Sequence, residues 1–170
     1  MTEPHSASGS GSGSGFSADL PDQLAEVIEE FQAVGATDRL ELLLDFSRDL
    51  PALPERLVGH REAMEPVQEC QSPLFLLVEV EQDGADRVGA AGVVRLFFDA
   101  PAEAPTTRGF ASVLHAGLDG LTAEQVLAVP DDVPHRLGIT AAVSPLRLNG
   151  MAGMLRRIKR QVAEKAASPQ

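Results

Sequence analysis

Two short apolar segments near the middle of the chain limit the folds that it can adopt. Residues 74–81 and 93–98 are rich in β-branched, aromatic and leucine side chains, a composition that predicts strands. Residues 82–84, with the sequence Gln-Asp-Gly, predict a turn after the first strand. Because so short a turn leaves no room for a crossover helix, we expect the two strands to pair antiparallel.

Helical patterns flank this strand pair on both sides. Apolar residues recur at helical spacing in residues 20–34 and 38–50, which predicts a helical hairpin over the core. Asp38 and Glu41, three residues apart, resemble a capping box. Helices followed by a strand pair and then by further helices indicate an α+β fold, with a small antiparallel sheet packed against helices.

Hydroxyl residues mark where the later helices are expected to begin. Thr106 or Thr107 is positioned to cap a helix that carries Phe110, and Thr122 precedes a shorter one. Ser144, followed by proline, is expected to cap the last helix.

Length and composition predict one globular domain preceded by a tail. Of the 170 residues, 1–19 form a Gly/Ser-rich tail, an expression scar or a native linker, and 20–167 form the expected domain. The chain is 44% hydrophobic, which excludes a disordered protein. No apolar run approaches the ~20 residues of a membrane helix, and no secretory signal is recognised.

The charge is strongly acidic, with a formal net value of −11. Nucleic acids and anionic membranes are therefore poor partners. The C-terminal 24 residues are the exception, with six bases and one acid; the bases are Arg147, Arg156, Arg157, Lys159, Arg160 and Lys165. We expect them to face water on a helix whose dipole they suit, although an acidic partner surface is an alternative.

The chain has one cysteine, Cys70, at the end of a proline-punctuated connection over residues 51–73. One cysteine forms no internal disulfide and builds neither a Cys-rich zinc site nor an iron–sulfur cluster. This usage fits a reducing cytoplasm. Cys70 is then either an inert core residue or a reactive thiol on a functional loop. A hydrolase that pairs Cys70 with His115 is a rival hypothesis, as is a structural adaptor with Cys70 in the core.

Four motifs in order give the chain a resemblance to the SufE family of sulfur-acceptor proteins. They are a helix pair ending at Leu50-Pro51, Val67-x-x-Cys70-Gln71-Ser72 before a strand, Arg108-Gly109 with Leu121-Thr122-Ala123-Glu124 beyond it, and Leu137-Gly138 followed by Val143 to Met151 and Met154. The resemblance spans roughly residues 20–165.

This resemblance implies a fold, a function and partners. The fold would be similar to that of the cluster scaffold IscU, and the chain would be a monomeric cytoplasmic carrier and not a stand-alone enzyme. Cys70 would accept persulfide sulfur from a SufS-type cysteine desulfurase, stimulate it, and deliver the sulfur to iron–sulfur cluster assembly, with a SufBCD-type scaffold as a further partner. Pyridoxal phosphate would belong to the desulfurase, so that the chain itself binds no cofactor or metal. A rhodanese-type sulfurtransferase is the alternative donor.

Five residues besides Cys70 complete the expected site. Arg108 and Arg147, if they lie near the thiol, would lower its pKa. The resemblance places Glu69, Gln71 and Ser72 at the partner surface. Glu69 stands where the family often has glycine, and a carboxylate beside a thiol disfavours the thiolate.

Overall fold

A computed structural model of the chain describes residues 19–81 and 90–168. Nearly all of the predicted tail and the predicted turn at 82–84 lie outside these residues. In the described part, the helices are α1 (Asp22–Ala33), α2 (Asp38–Arg48), α3 (Pro105–Leu118), α4 (Ala123–Ala128), α5 (Val133–Arg136) and α6 (Pro145–Ala167), and the strands are β1 (Glu65–Pro66), β2 (Phe75–Glu81) and β3 (Val93–Asp99).

The strands form one antiparallel sheet in the order β1-β2-β3. Phe75 lies opposite Asp99 and Glu81 opposite Val93, so the two long strands pair along their full length. Alternate residues of both strands are buried against the helices, as a sheet with one covered face requires. The expectation of an α+β fold with a small antiparallel sheet packed against helices is confirmed.

The two predicted N-terminal helices are present and each packs on α3, but they make few contacts with each other. Leu24 and Phe31 of α1 are fully buried, and the ring of Phe31 lies 5.5 Å from that of Phe46 in α2. The Asp38–Glu41 capping box was a wrong prediction, because Thr37 occupies the N-cap and no side chain caps α2.

Of the three caps predicted for the later helices, those of α4 and α6 are present. Thr122 and Gln125 form a reciprocal capping box at α4, and the Ser144 hydroxyl accepts a hydrogen bond from the Arg147 amide at α6. The predicted cap of α3 is wrong: the helix begins at Pro105, so Thr106 and Thr107 lie inside its first turn.

Helix α6 protects the exposed edge of the sheet. Strand β1 has only two residues, so most of the outer edge of β2 has no partner strand among the described residues. The buried side-chain oxygen of Gln161 accepts a hydrogen bond from the Val78 amide at 2.9 Å, and Lys165 donates to the Val78 carbonyl. These contacts satisfy backbone groups that burial would otherwise leave unpaired.

Replacing the Gln161 amide should therefore weaken the sheet edge. Gln161→Met keeps the length of the side chain but removes the acceptor, and we expect the free energy of unfolding to fall by about 2 kcal/mol, the cost of a buried unpaired donor. Urea denaturation measures this loss of stability, and faster hydrogen exchange at the Val78 amide would locate the loss at the sheet edge. Gln68→Met, at an exposed position, is the control. Equal stability of the two variants would show that the edge contact contributes little.

Candidate functional site

The Cys70 loop, residues 67–74, connects β1 to β2. The Val67 amide donates to the Leu74 carbonyl at 2.9 Å, and both side chains are buried, so the two ends of the loop are fixed in the core. The Cys70 amide donates to the Val67 carbonyl at 3.2 Å, which forms a turn. Cys70 thus lies on a short loop whose two ends are held in the core.

The loop rests against α6 at two buried glycines. A Cβ atom on Gly150 would lie 3.3 Å from the Cys70 sulfur, and one on Gly153 would lie 3.0 Å from the Glu69 carboxyl carbon. Because both contacts are tighter than ordinary van der Waals separations, larger residues would push the loop from the helix. The two glycines give the Cys70 thiol its half-buried seat.

A small cavity of about 180 Å³ opens beside the thiol. Its walls come from the Cys70 loop, from the first turn of α3 including Thr106 and Thr107, and from Arg147 of α6. Of the predicted site residues, Cys70, Gln71, Ser72 and Arg147 share this cavity. The Arg147 side chain is exposed and forms no ion pair or hydrogen bond with the described residues.

Glu69 points away from the cavity, toward α6. Its carboxylate accepts a hydrogen bond from Arg157 at 2.5 Å, and Arg156 lies 4.0 Å from its other oxygen. The bond from Arg157 is the main reason that the pKa of Glu69 lies below its ordinary value. Sequence reasoning misses Arg157, since no local pattern joins positions 69 and 157.

The expectation that the bases of α6 face water is confirmed for Arg147, Arg156 and Arg160, which are exposed, and is wrong for the other three, which are half-buried. Arg157 and Arg160 bind Glu65 of β1, Lys159 binds Asp131, and Lys165 binds the Val78 carbonyl. The side chain of Arg157 is only 18% exposed. The acidic body of the protein uses this basic helix for internal pairing.

The surroundings of Cys70 disfavour its ionisation. Burial raises the pKa of the Cys70 thiol from 9.0 to about 11. The Glu69 carboxylate also raises this pKa, as the sequence suggests, and the Arg157 guanidinium lowers it in part. In the described chain, these two groups are the charges that act on the thiol, and neither is Arg108 or Arg147.

Arg108 occupies a different place. Its guanidinium donates to the carbonyls of Ser47 and Ala100, at 3.2 and 2.7 Å, and so joins α2 to the segment after β3. It lines a second cavity and not the one at Cys70. The structure therefore gives Arg108 a role in packing, and no contact in the described chain supports a role at the thiol.

The rival Cys–His pair is not assembled. His115 lies in a separate cavity with Asp119, whose carboxylate oxygen is 3.8 Å from the imidazole Nε2. Burial lowers the pKa of His115. Cys70 therefore has no imidazole base at its own cavity in the part of the chain that the structure describes.

Neither a metal-binding cluster nor a membrane-spanning helix occurs in the described part of the chain. Among residues 19–81 and 90–168, no three His, Cys, Asp or Glu side chains are grouped so that they would hold a metal ion. Over the same residues, no helix combines the length and the apolarity needed to cross a membrane.

Comparison with known proteins identifies the family. The family model of SufE, described as an Fe–S metabolism associated domain, matches residues 25–162. This match covers most of the chain and includes the Cys70 loop and α6 up to the edge contact. The chain belongs to the SufE family, and membership supports a sulfur-transfer role in iron–sulfur metabolism.

Relatives from distant organisms share the domain. An uncharacterized SufE-like protein of Mycobacterium tuberculosis is 54% identical over 147 residues, which are 86% of this chain and 96% of that protein. The SufE-like protein 1 of Arabidopsis thaliana chloroplasts and mitochondria is 25% identical, over 95% of this chain and 41% of its own. The solution structure of a hypothetical Thermus thermophilus protein matches with a TM-score of 0.71 at 34% identity, covering 88% of this chain and 99% of that one.

The seat of Cys70 predicts slow alkylation of the native thiol. Because the thiolate is the reactive form and its pKa is raised, iodoacetamide at pH 7.5 should modify the folded protein roughly 10- to 100-fold more slowly than the protein in guanidinium chloride. The native rate should still be rising above pH 9, where the rate of the unfolded protein levels off. Mass spectrometry against time measures both rates. Equal rates would mean that the thiol is freely exposed.

Proposed function

We propose that the protein is a sulfur carrier in which Cys70 accepts persulfide sulfur from a SufS-type cysteine desulfurase and delivers it to iron–sulfur cluster assembly. One observation carries this proposal: the single cysteine of a SufE-family chain lies on a loop, half-buried at the wall of a small cavity. A thiol buried only for packing would not require a cavity beside it.

The transfer step needs one thiol and no external oxidant. The Cys70 thiolate attacks the outer sulfur of the donor's persulfide, forming a new S–S bond as the donor's S–S bond breaks. The donor leaves as a thiolate and takes up the proton that Cys70 released. Removal of this product frees the donor for its next cycle, so the carrier stimulates the desulfurase. The pyridoxal phosphate of that reaction belongs to the desulfurase.

Transfer is expected to require a change in the surroundings of Cys70. At the resting pKa of about 11, only a small fraction of the thiol is ionised near neutral pH. Movement of the loop toward a donor would expose the thiol to solvent and so remove the burial that is the main cause of its raised pKa. Arg147, exposed at the cavity and without an internal partner in the described chain, is positioned to support the thiolate once the loop has moved.

The residues at the cavity rim form the proposed partner surface. Gln71 is exposed and Ser72 is half-buried on the loop, and Leu146 is 52% exposed one residue before Arg147. A large exposed apolar side chain next to an unpaired arginine is a combination often found in protein interfaces. We propose that the desulfurase, and then a SufBCD-type scaffold, contact this rim in the reducing cytoplasm.

Sulfur loading of Cys70 tests the proposal directly. After incubation with a cysteine desulfurase, pyridoxal phosphate and cysteine, intact-protein mass spectrometry should show additions of whole sulfur atoms that a reductant removes. Cys70→Ser should show none and should not stimulate the desulfurase. Its fold should be unchanged, which circular dichroism checks.

A second sulfur donor tests whether the protein is a carrier separately from which donor supplies the sulfur. Loading by a rhodanese-type sulfurtransferase with thiosulfate, but not by the desulfurase, would keep the carrier and change its donor. Loading of Cys70→Ser, or no loading by either donor, would overturn the proposal. Hydrolysis of small thioesters without a protein partner would instead favour the nucleophilic enzyme.

A further inference from the structure

The interior of the Cys70 loop is held to the rest of the protein through the side chain of one residue. Of the described residues 68–73, only Glu69 forms side-chain ion pairs or hydrogen bonds. The other close contact is apolar, between the Cys70 sulfur and the surface at Gly150. The pair between Glu69 and Arg157 therefore bears most directly on whether the loop stays on α6.

The geometry of this pair is more restrictive than that of an ordinary surface ion pair. The side chains of Glu69 and Arg157 are 26% and 18% exposed, and their closest atoms are 2.5 Å apart. The missing side chain at Gly153 leaves the space that the Glu69 methylenes occupy. A pair with this burial loses less to solvent screening than exposed pairs do.

Arg157 is held in place before it meets Glu69. Its Nε donates to Glu65 of β1 at 3.0 Å, and the Gln161 side chain donates to the other oxygen of Glu65 at 2.9 Å. Positions 153, 157 and 161 of α6 are four residues apart and so lie on one face of the helix. Arg157 thus joins a fixed strand to a loop whose other polar contact with α6 is the longer one, at 4.0 Å, between Arg156 and Glu69.

We propose that Arg157 is a positioning residue which, by binding Glu69, clips the Cys70 loop to α6 and keeps the thiol in its half-buried seat. Release of this clip allows the loop to open and Cys70 to reach a partner. The significance of opening rests on the proposed function, whereas the clip itself is a property of the protein alone. A partner that binds either charge of the pair would open the site.

Substituting Arg157 distinguishes a clip from a purely electrostatic effect. If Arg157 only moderates the charge of Glu69, then Arg157→Gln should raise the pKa of Cys70 further and slow its alkylation, with no change in loop opening. If Arg157 holds the loop, the same variant should open the loop and speed amide exchange within it. The two roles predict different rates of amide exchange in the loop of Arg157→Gln, unchanged for the electrostatic effect and faster for the clip. This variant therefore decides between them.

Hydrogen–deuterium exchange of the peptide covering residues 67–74 is the primary measurement. We expect Arg157→Gln and Glu69→Gln each to exchange about fivefold faster than the unmodified protein, as the loss of one partly buried pair implies. Arg157→Lys, which retains the charge but loses the guanidinium fork that reaches both Glu65 and Glu69, should restore slow exchange only in part. Arg160→Gln is the matched control. Arg160 also lies on α6 and binds Glu65 and Glu164, but it does not bind Glu69.

Salt provides a test that needs no variant. Raising the ionic strength to about 1 M should speed exchange of the loop in the unmodified protein, because screening weakens the pair. Unchanged loop exchange in Arg157→Gln, or equal acceleration in Arg160→Gln, would overturn the clip. Since exchange requires no sulfur donor, failure of the clip and failure of sulfur loading are separate results.

Discussion

Helix α6 passes the Cys70 loop so closely that a Cβ atom at either of the two points of contact would be crowded. Gly150 and Gly153 leave room for the Cys70 sulfur and for the Glu69 side chain, and the neighbouring Met151 and Met154 are fully buried in the core. One helix therefore carries both the seat of the thiol and a large part of the hydrophobic core. Because protein cores are tightly packed, a shift of α6 that suits the core moves the thiol seat with it.

The same helix explains why the proposed clip at position 69 is a charged pair and not an apolar contact. An apolar side chain at position 69 would be stabilised by the area it buries, and opening the loop would expose that area to water. An ion pair exchanges its partner for water or for a charged partner protein at lower cost. Glu69 thus keeps the loop closed weakly and specifically. The common family residue at this position, glycine, would supply no such tie to Arg157.

Local patterns in the sequence predict the main helices, both long strands and the caps of α4 and α6. These elements depend on residues within about one or two turns of each other, which periodicity records. Strand β1 escapes prediction because it has two residues, one of them proline, and exists only through its pairing with β2. Cys70 is predicted as a site residue because it is the single cysteine of the sequence. Its tie through Glu69 to Arg157 spans 88 positions and is absent from any local pattern.

A carrier must protect sulfur between two encounters, and the closed loop offers the means. A buried thiol with a raised pKa resists oxidants and alkylating agents, since the thiolate is the reactive form. The cavity of about 180 Å³ is large compared with the roughly 10–15 Å³ of such space that one water needs. The cavity therefore has the volume for one added sulfur atom beside Cys70. Under the proposed function, the closed loop then has room for both the empty and the loaded carrier, and opening serves the transfer step.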